Sequence, residues 1–211
     1  MAEYTPYETV EARCEAEFTE KKSRFIGILS PATTEADCEA LLAYAKKKYP
    51  GATHYVTAWT LRTNNLLRFN DDGEPGGTSG RPALEVLLRE GLSDVAFVSV
   101  RYFGGTLLGA GGLVRAYTRS AKEAVDAALR VRMLPCVLFT LNASYSAWQR
   151  LSRVLEQKGA KQTGLDYGGS VTWSGEILAD RYQTLYDAIR EASAGSVLPV
   201  KTGEGIRGVR I

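Results

Sequence analysis

The chain has 211 residues, of which 45% are hydrophobic and 24% are charged, and its formal net charge at pH 7 is +2. That composition is typical of a globular protein, and the length suits two small domains. No apolar run of about 18 residues occurs, and the first residues lack the basic start and apolar stretch of a secretory signal. We therefore expect a cytoplasmic protein with no membrane partner.

The charge is unevenly distributed along the chain. Residues 1–20 hold six acids and one base, residues 21–131 hold 15 bases and 11 acids, and residues 132–211 hold 10 bases and 7 acids. A mildly basic body is compatible with RNA or phosphate binding but does not establish it. One histidine, His54, and three widely spaced cysteines cannot assemble a zinc site. We expect no metal and no cofactor.

Hydrophobic periodicity and turn residues define the elements of the first part of the chain. Thr34 and Asp37 resemble a capping box, which starts a helix that Pro50-Gly51 ends. The run from Val95 to Val100 is nearly all apolar, which is typical of a strand covered on both faces. Strands are predicted over 8–18, 22–30, 53–61, 66–69 and 95–100, and helices over 34–49, 81–91 and 112–130.

A second pattern begins after Arg130. Strands are predicted over 135–144, 160–167, 171–179 and 198–210, and helices over 145–158 and 180–193. This order, β-α-β-β-α-β, is the ferredoxin-like pattern. The sequence therefore predicts an α+β protein with an N-terminal domain over 1–131 and a C-terminal ferredoxin-like domain over 135–211.

Two glycine-rich segments carry residues that folding alone rarely requires. The segment 71–82 combines four glycines with three carboxylates and Arg81 before a helix, so its acids would hold a cation or act as base, and its amides would bind an anion. The segment 101–115 joins a strand to the longest helix through glycines, an arrangement that favours phosphate. Each segment is also explained by tight packing or by acids that cap backbone amides. Neither the P-loop nor the Rossmann spacing is present.

Two further features have both a structural and a functional interpretation. His54 alternates with Val56 and Ala58 along a strand, which usually marks a structural histidine, and a proton-carrying role needs a partner nearby. Arg115, Arg119 and Lys122 line one face of the longest helix at spacings of four and three, and this face is either solvated or a nucleic-acid contact.

The motifs at these positions resemble the IMPACT family, and the chain is similar to its bacterial YigZ-type members. The resemblance rests on residues 22–26 (KSRFI), 72–82 (DGEPGGTSGRP) and 100–117 (VRYFGGTLLGAGGLVRAY), and it covers roughly 18–128. It implies that the N-terminal domain is similar to domain IV of elongation factor G and the C-terminal domain to domain V. It also implies a link to translation, because eukaryotic relatives regulate translation by competing for an activator of an initiation-factor kinase. Those relatives carry an additional N-terminal interaction domain.

The resemblance implies that the positions matching the family motifs belong to one surface. Arg119 is added to them because it lies on the basic face of the helix. We expect these residues to form one ligand or nucleic-acid contact surface: Asp72, Glu74, Thr78, Arg81, Arg101, Tyr102, Gly104, Gly105, Arg115, Arg119 and Tyr117.

Three functions are compatible with this sequence. The first is a binding or regulatory protein linked to translation through RNA or a ribosome-associated protein, with no DNA specificity indicated. The second is a protein-interaction regulator that does not bind RNA. The third is an enzyme acting on a phosphorylated small molecule, with Asp72 or Glu74 as base and 104–112 as the phosphate cradle. A non-enzymatic role is favoured.

Overall fold

The fold is a two-domain α+β arrangement, seen in a computed structural model that describes residues 5–211. The chain divides into two compact units. The N-terminal unit comprises Tyr7–Arg132 with Arg210–Ile211, and the C-terminal unit comprises Met133–Val209. Within residues 5–211 no helix is both long enough and apolar enough to cross a bilayer.

The N-terminal unit is built on a five-stranded antiparallel sheet with the order β2-β3-β6-β4-β5. Its strands are β2 (Cys14–Glu20), β3 (Ser23–Pro31), β4 (His54–Leu61), β5 (Leu66–Asn70) and β6 (Val95–Tyr102). The short strand β1 (Tyr7–Val10) lies in the same unit but outside this sheet. Its helices are α1 (Glu35–Lys48), α2 (Gly80–Arg89) and α3 (Ala110–Asp126).

The central strand β6 is buried along nearly its whole length, as its apolar sequence predicts. Helix α1 packs on one face of the sheet, where Leu41 joins a core cluster with Val98. Helices α2 and α3 share the opposite face, where Leu87 and Ala121 pack with Phe97. The C-terminal end of β6 and the start of α3 lie next to the loop that precedes α2. The candidate site lies at this position.

The C-terminal unit has the predicted β-α-β-β-α-β order. Strand β7 pairs with β9 and β10, and β9 pairs antiparallel with β8. Phe139, Trp173 and Leu185 belong to the core cluster between the sheet and its helices. The elements are β7 (Arg130–Ala143), α4 (Tyr145–Gln157), β8 (Lys161–Tyr167), β9 (Val171–Leu178), α5 (Tyr182–Ala192) and β10 (Val200–Arg210).

Several element boundaries differ from the sequence prediction, and the strand expected over 8–18 is divided into β1 and β2. Strand β7 begins at Arg130 and continues through Pro135, where a break was expected. Helix α3 begins at Ala110, two residues before its predicted start, so Gly111 joins Gly112 in its first turn, and it ends at Asp126 rather than at 130. The first four amides of a helix have no partner inside the helix, and glycine is therefore less costly there than in the interior.

Candidate functional site

Side chains from separate motif segments meet inside the N-terminal unit. Glu74, in the loop before α2, is 8% exposed, and Arg101, near the end of β6, is 4% exposed. Arg101 Nη1 donates to Glu74 Oε1 at 2.5 Å. The hydroxyl of Tyr117, from α3, donates to the same oxygen at 2.7 Å. We call Glu74, Arg101 and Tyr117 the buried network.

Within the buried network, the negative charge of Glu74 is compensated by the positive charge of Arg101. A buried carboxylate without a cation is strongly destabilising, whereas the Arg101 guanidinium supplies the opposite charge and a hydrogen bond. Burial, followed by the hydrogen bond to Glu74, raises the pKa of Tyr117 far above its usual range. The phenol therefore stays protonated and acts as a donor.

The hairpin between β2 and β3 is tied to this network. Ser23 Oγ accepts hydrogen bonds from Arg101 Nη2 at 3.3 Å and from the backbone amide of Gly104 at 3.2 Å. A Cβ at Gly104 would overlap the backbone carbonyl of Lys22. Gly104 is therefore required for the close approach of the two segments, which explains why the motif has glycine there.

His54 lies beside the buried network, because it is the cross-strand partner of Arg101. Its Nδ1 is 2.7 Å from the carbonyl oxygen of Asp72. A carbonyl only accepts, so this contact places a proton on Nδ1 and leaves Nε2 directed to the other side. Nε2 lies 3.8 Å from Glu74 Oε1. Sequence reasoning did not include His54 in the site, since strand register alone brings it next to Arg101.

The acids at the start of the 71–82 loop hold the loop together. Asp71 accepts from the backbone amides of Gly77 and Gly80 at 2.8 Å and from the Ser79 hydroxyl at 2.5 Å. Burial on its own raises the pKa of Asp71, but these hydrogen bonds outweigh it and lower the pKa. The expected anion site at the start of α2 is therefore occupied by the protein's own carboxylate.

Asp72 has a similar role within the same loop. Its Oδ2 accepts from the backbone amide of Tyr55 at 2.6 Å, and its φ is 44°. That carboxylate holds the loop against β4. Among residues 5–211 no group of three His, Cys, Asp or Glu side chains is arranged to hold a metal ion.

Five residues of the predicted contact surface have other roles in the structure. Arg101 and Tyr117 are buried and hydrogen-bonded to Glu74, so they form framework and not an exposed contact. Three other residues bond elsewhere: Thr78 donates to the Pro75 carbonyl, Arg81 pairs with Glu85 on α2, and Tyr102 donates to the Pro50 carbonyl.

Two members of the buried network, Glu74 and Arg101, line a hollow of about 350 Å³ in the N-terminal unit. Its walls are largely apolar and come from both glycine-rich segments. Gly105 and Gly109, both with positive φ, flank the part of the wall that holds Leu107. The residues that line the hollow are Thr53, His54, Glu74, Pro75, Arg101, Phe103, Leu107, Leu108, Gly109, Ala110 and Leu113.

A second depression, which we call the basic groove, lies between the β2–β3 hairpin and α3. It has a volume of about 200 Å³, and among residues 5–211 it is lined by three cations and by one acid, Glu20. Lys21 and Arg115 form no ion pair with any of residues 5–211, whereas Arg119 pairs with Glu123 at 2.7 Å. The lining residues are Phe18, Glu20, Lys21, Leu108, Gly112, Arg115, Ala116 and Arg119.

Comparison with known proteins places these features in a family. The model of the Impact N-terminal domain matches residues 21–125, a span that contains all three motif segments. IMPACT family member YigZ of Escherichia coli (strain K12) is 32% identical over 180 residues, which cover 84% of this chain and 88% of that protein.

Two further comparisons give similar matches, one in sequence over part of the chain and one in fold. IMPACT family member YvyE of Bacillus subtilis (strain 168) is 45% identical over 121 residues, covering 57% of this chain and 56% of that protein. A solved structure described as a hypothetical protein is 29% identical with a TM-score of 0.60, and covers 94% of this chain and 98% of that one. The chain therefore belongs to the IMPACT family.

Proposed function

We propose that this protein is a regulatory binding protein linked to translation, and that its basic groove contacts structured RNA or a ribosome-associated partner. The observation that carries the proposal is the groove itself, in which Lys21, Arg115 and Arg119 line one depression with Glu20 as the one acid from the described part of the chain. Clustered lysine and arginine side chains neutralise phosphates and release bound counterions, which is the main source of sequence-independent affinity for nucleic acid.

The backbone of the hairpin turn also supports a role for its charges. Lys21 and Lys22 have φ values of 44° and 66°, so both central residues of this two-residue turn are left-handed. Asn-Gly is the preferred pair for such a turn, and lysine pays a steric cost there. Strain of this kind concentrates at functional sites. We infer that the two lysines act through their charge.

Fold similarity belongs to the same proposal. We infer that the N-terminal unit shares the layout of domain IV of elongation factor G and that the C-terminal unit shares that of domain V. The β-α-β-β-α-β order of the C-terminal unit supports the second similarity. A cytoplasmic location follows from a role in translation. Fold alone does not assign a function, so the groove is what an experiment must address.

The proposal is tested by filter binding of a structured RNA hairpin over a series of salt concentrations. The test variant is K21N/K22G, which removes two charges and installs the preferred turn residues. We expect weaker binding, a log–log salt slope smaller by about 2, and a urea midpoint that is unchanged or higher. The matched control, K47Q/R89Q, removes two exposed charges from α1 and α2.

Salt-independent binding, or equal losses in the test and control variants, would contradict a phosphate contact at the groove. A protein-interaction regulator that does not bind RNA is the second candidate, because Leu107 is 81% exposed and Phe103 is 43% exposed beside the motif segments. Chemical cross-linking in cell extract, compared between the wild type and L107S, distinguishes it. A phosphate-handling enzyme has less support, since the carboxylate of Asp72 is engaged with backbone.

A further inference from the structure

The hollow is a different surface from the basic groove, and its chemistry differs as well. Its volume of about 350 Å³ is suited to a small molecule. Phe103, Leu107 and Leu113 contribute apolar walls, while Glu74 and His54 contribute polar atoms. An apolar enclosure with a few polar groups that fix the orientation of the ligand is the usual form of a small-molecule site.

Glu74 presents an unpaired acceptor to the hollow. Only 3% of its side chain is exposed. Arg101 Nη1 and the Tyr117 hydroxyl both donate to Oε1, and no donor from residues 5–211 bonds to Oε2. Oε2 is not among the unpaired side-chain atoms that the protein seals from solvent, so it remains accessible. Since Glu74 lines the hollow, this oxygen is available to a ligand there.

His54 presents a second acceptor beside the first. Its Nδ1 donates to the Asp72 carbonyl at 2.7 Å, so Nε2 carries a lone pair and no proton. Within the described part of the chain no donor bonds to Nε2, which lies 3.8 Å from Glu74 Oε1. Two neighbouring acceptors repel each other unless a donor lies beside them, and buried polar groups normally have such a partner. The side chain is 18% exposed and lines the hollow, so a ligand can supply the donor.

The charges around the hollow favour an uncharged donor. Arg101 and Glu74 offset each other, and no other charged side chain from residues 5–211 lines the hollow. The tautomer of His54 with its proton on Nδ1 is neutral. A cation would lose its hydration without a net negative charge to replace it, which is costly. A carboxylate has no proton to give to either acceptor.

We propose that the hollow binds a small primary carboxamide with an aromatic or branched apolar body. A primary amide is uncharged and carries two N–H donors on one atom, which suits two neighbouring acceptors. The NH₂ group donates to Glu74 Oε2 and His54 Nε2, and the apolar body packs against Phe103, Leu107 and Leu113. This site goes beyond the proposed function, because it uses none of the cations of the basic groove.

The test uses the one histidine of the chain, whose imidazole is followed by NMR without ambiguity. The ¹⁵N-labelled full chain is titrated at neutral pH with 3-phenylpropanamide as the probe. In the free protein we expect Nδ1 to be protonated and Nε2 to be unprotonated. On saturation the ¹⁵N resonance of Nε2 should move toward that of a protonated nitrogen, because Nε2 accepts a hydrogen bond. The backbone amides of Leu107 and Leu113 should shift saturably.

Three analogues of similar size separate the donors from the apolar body. N,N-dimethyl-3-phenylpropanamide keeps the carbonyl but lacks both donors, 3-phenylpropanoate is an anion without a donor, and 3-phenylpropylamine is a cation. Each should bind at least about tenfold more weakly than the carboxamide, because it leaves the acceptors unpaired or brings a charge that the hollow does not compensate.

Two variants separate the polar contact from the apolar contact. H54F keeps a ring but removes the Nε2 acceptor, and it should weaken the carboxamide about tenfold while the dimethylamide is unaffected. L107S should weaken both ligands. L129S replaces another exposed leucine that does not line the hollow and should change neither. The analogue series on the unaltered chain gives the same answer if H54F does not fold.

Three results would overturn the proposal. They are the absence of saturable shifts with 3-phenylpropanamide, a protonated Nε2 in the free chain, and binding of any one of the three analogues that equals or exceeds binding of the carboxamide. RNA binding by the groove is measured separately, so its failure leaves this result interpretable.

Discussion

The buried network makes a quantitative prediction about stability. Replacing Glu74 with glutamine leaves the Arg101 guanidinium buried at 4% exposure without a counter-charge. Breaking one side of a buried ion pair costs about 3–5 kcal/mol, because an uncompensated charge remains. Since domains are stable by only about 5–15 kcal/mol, E74Q should shift urea unfolding of the N-terminal unit strongly.

The appropriate assay is a double-mutant cycle measured by urea denaturation. We expect E74Q and R101M to be costly individually, and the double variant E74Q/R101M to cost less than their sum by about 2–3 kcal/mol. The milder Y117F removes one hydrogen bond to a charged oxygen and should cost about 1.5–3 kcal/mol, while its ring keeps the edge-on contact with Phe25.

An exposed ion pair provides the control. Arg68 and Glu35 are joined at 2.8 Å, but more than half of each side chain is exposed. The cycle of E35Q and R68M should show coupling within about 1 kcal/mol. If the buried pair couples no more strongly than this surface pair, then Glu74 and Arg101 do not hold the motif segments together, and the reasoning is refuted.

Two further predictions concern the loops around the site. Gly104→Ala should destabilise the chain by about 1–3 kcal/mol in thermal unfolding, because the Cβ meets the backbone of Lys22, whereas Gly76→Ala has open space and should be nearly neutral; equal effects would contradict the close approach. Asp71→Asn should cost about 1–2 kcal/mol at pH 7. The folded-state pKa of Asp71 is lowered, so its contribution to stability is fully present above the ordinary carboxyl pKa and is lost as the pH falls through the folded value. The deficit of the variant in urea unfolding should therefore shrink as the pH falls below the ordinary carboxyl pKa of about 3.9. A deficit that does not change with pH would show that the charge of Asp71 is not what caps α2.

Local signals in the sequence were sufficient for most of the secondary structure. Thr34 and Asp37 form the predicted capping box, in which each side chain satisfies a backbone amide at the start of α1. The apolar run of β6 is buried as expected. These features depend on residues three or four apart, or on one strand alone, so the chain encodes them within short segments.

The roles of the motif residues were decided by contacts between distant segments. The sequence shows an acid, two arginines and many glycines, but it does not show that Arg101 meets Glu74 across 27 positions or that His54 lies opposite Arg101. Strand register and the packing of α3 on the sheet determine those pairs. Whether a charged side chain is an exposed contact or part of a buried framework depends on its partner. Only the tertiary structure therefore assigned Arg101 to the framework and Arg115 to the groove.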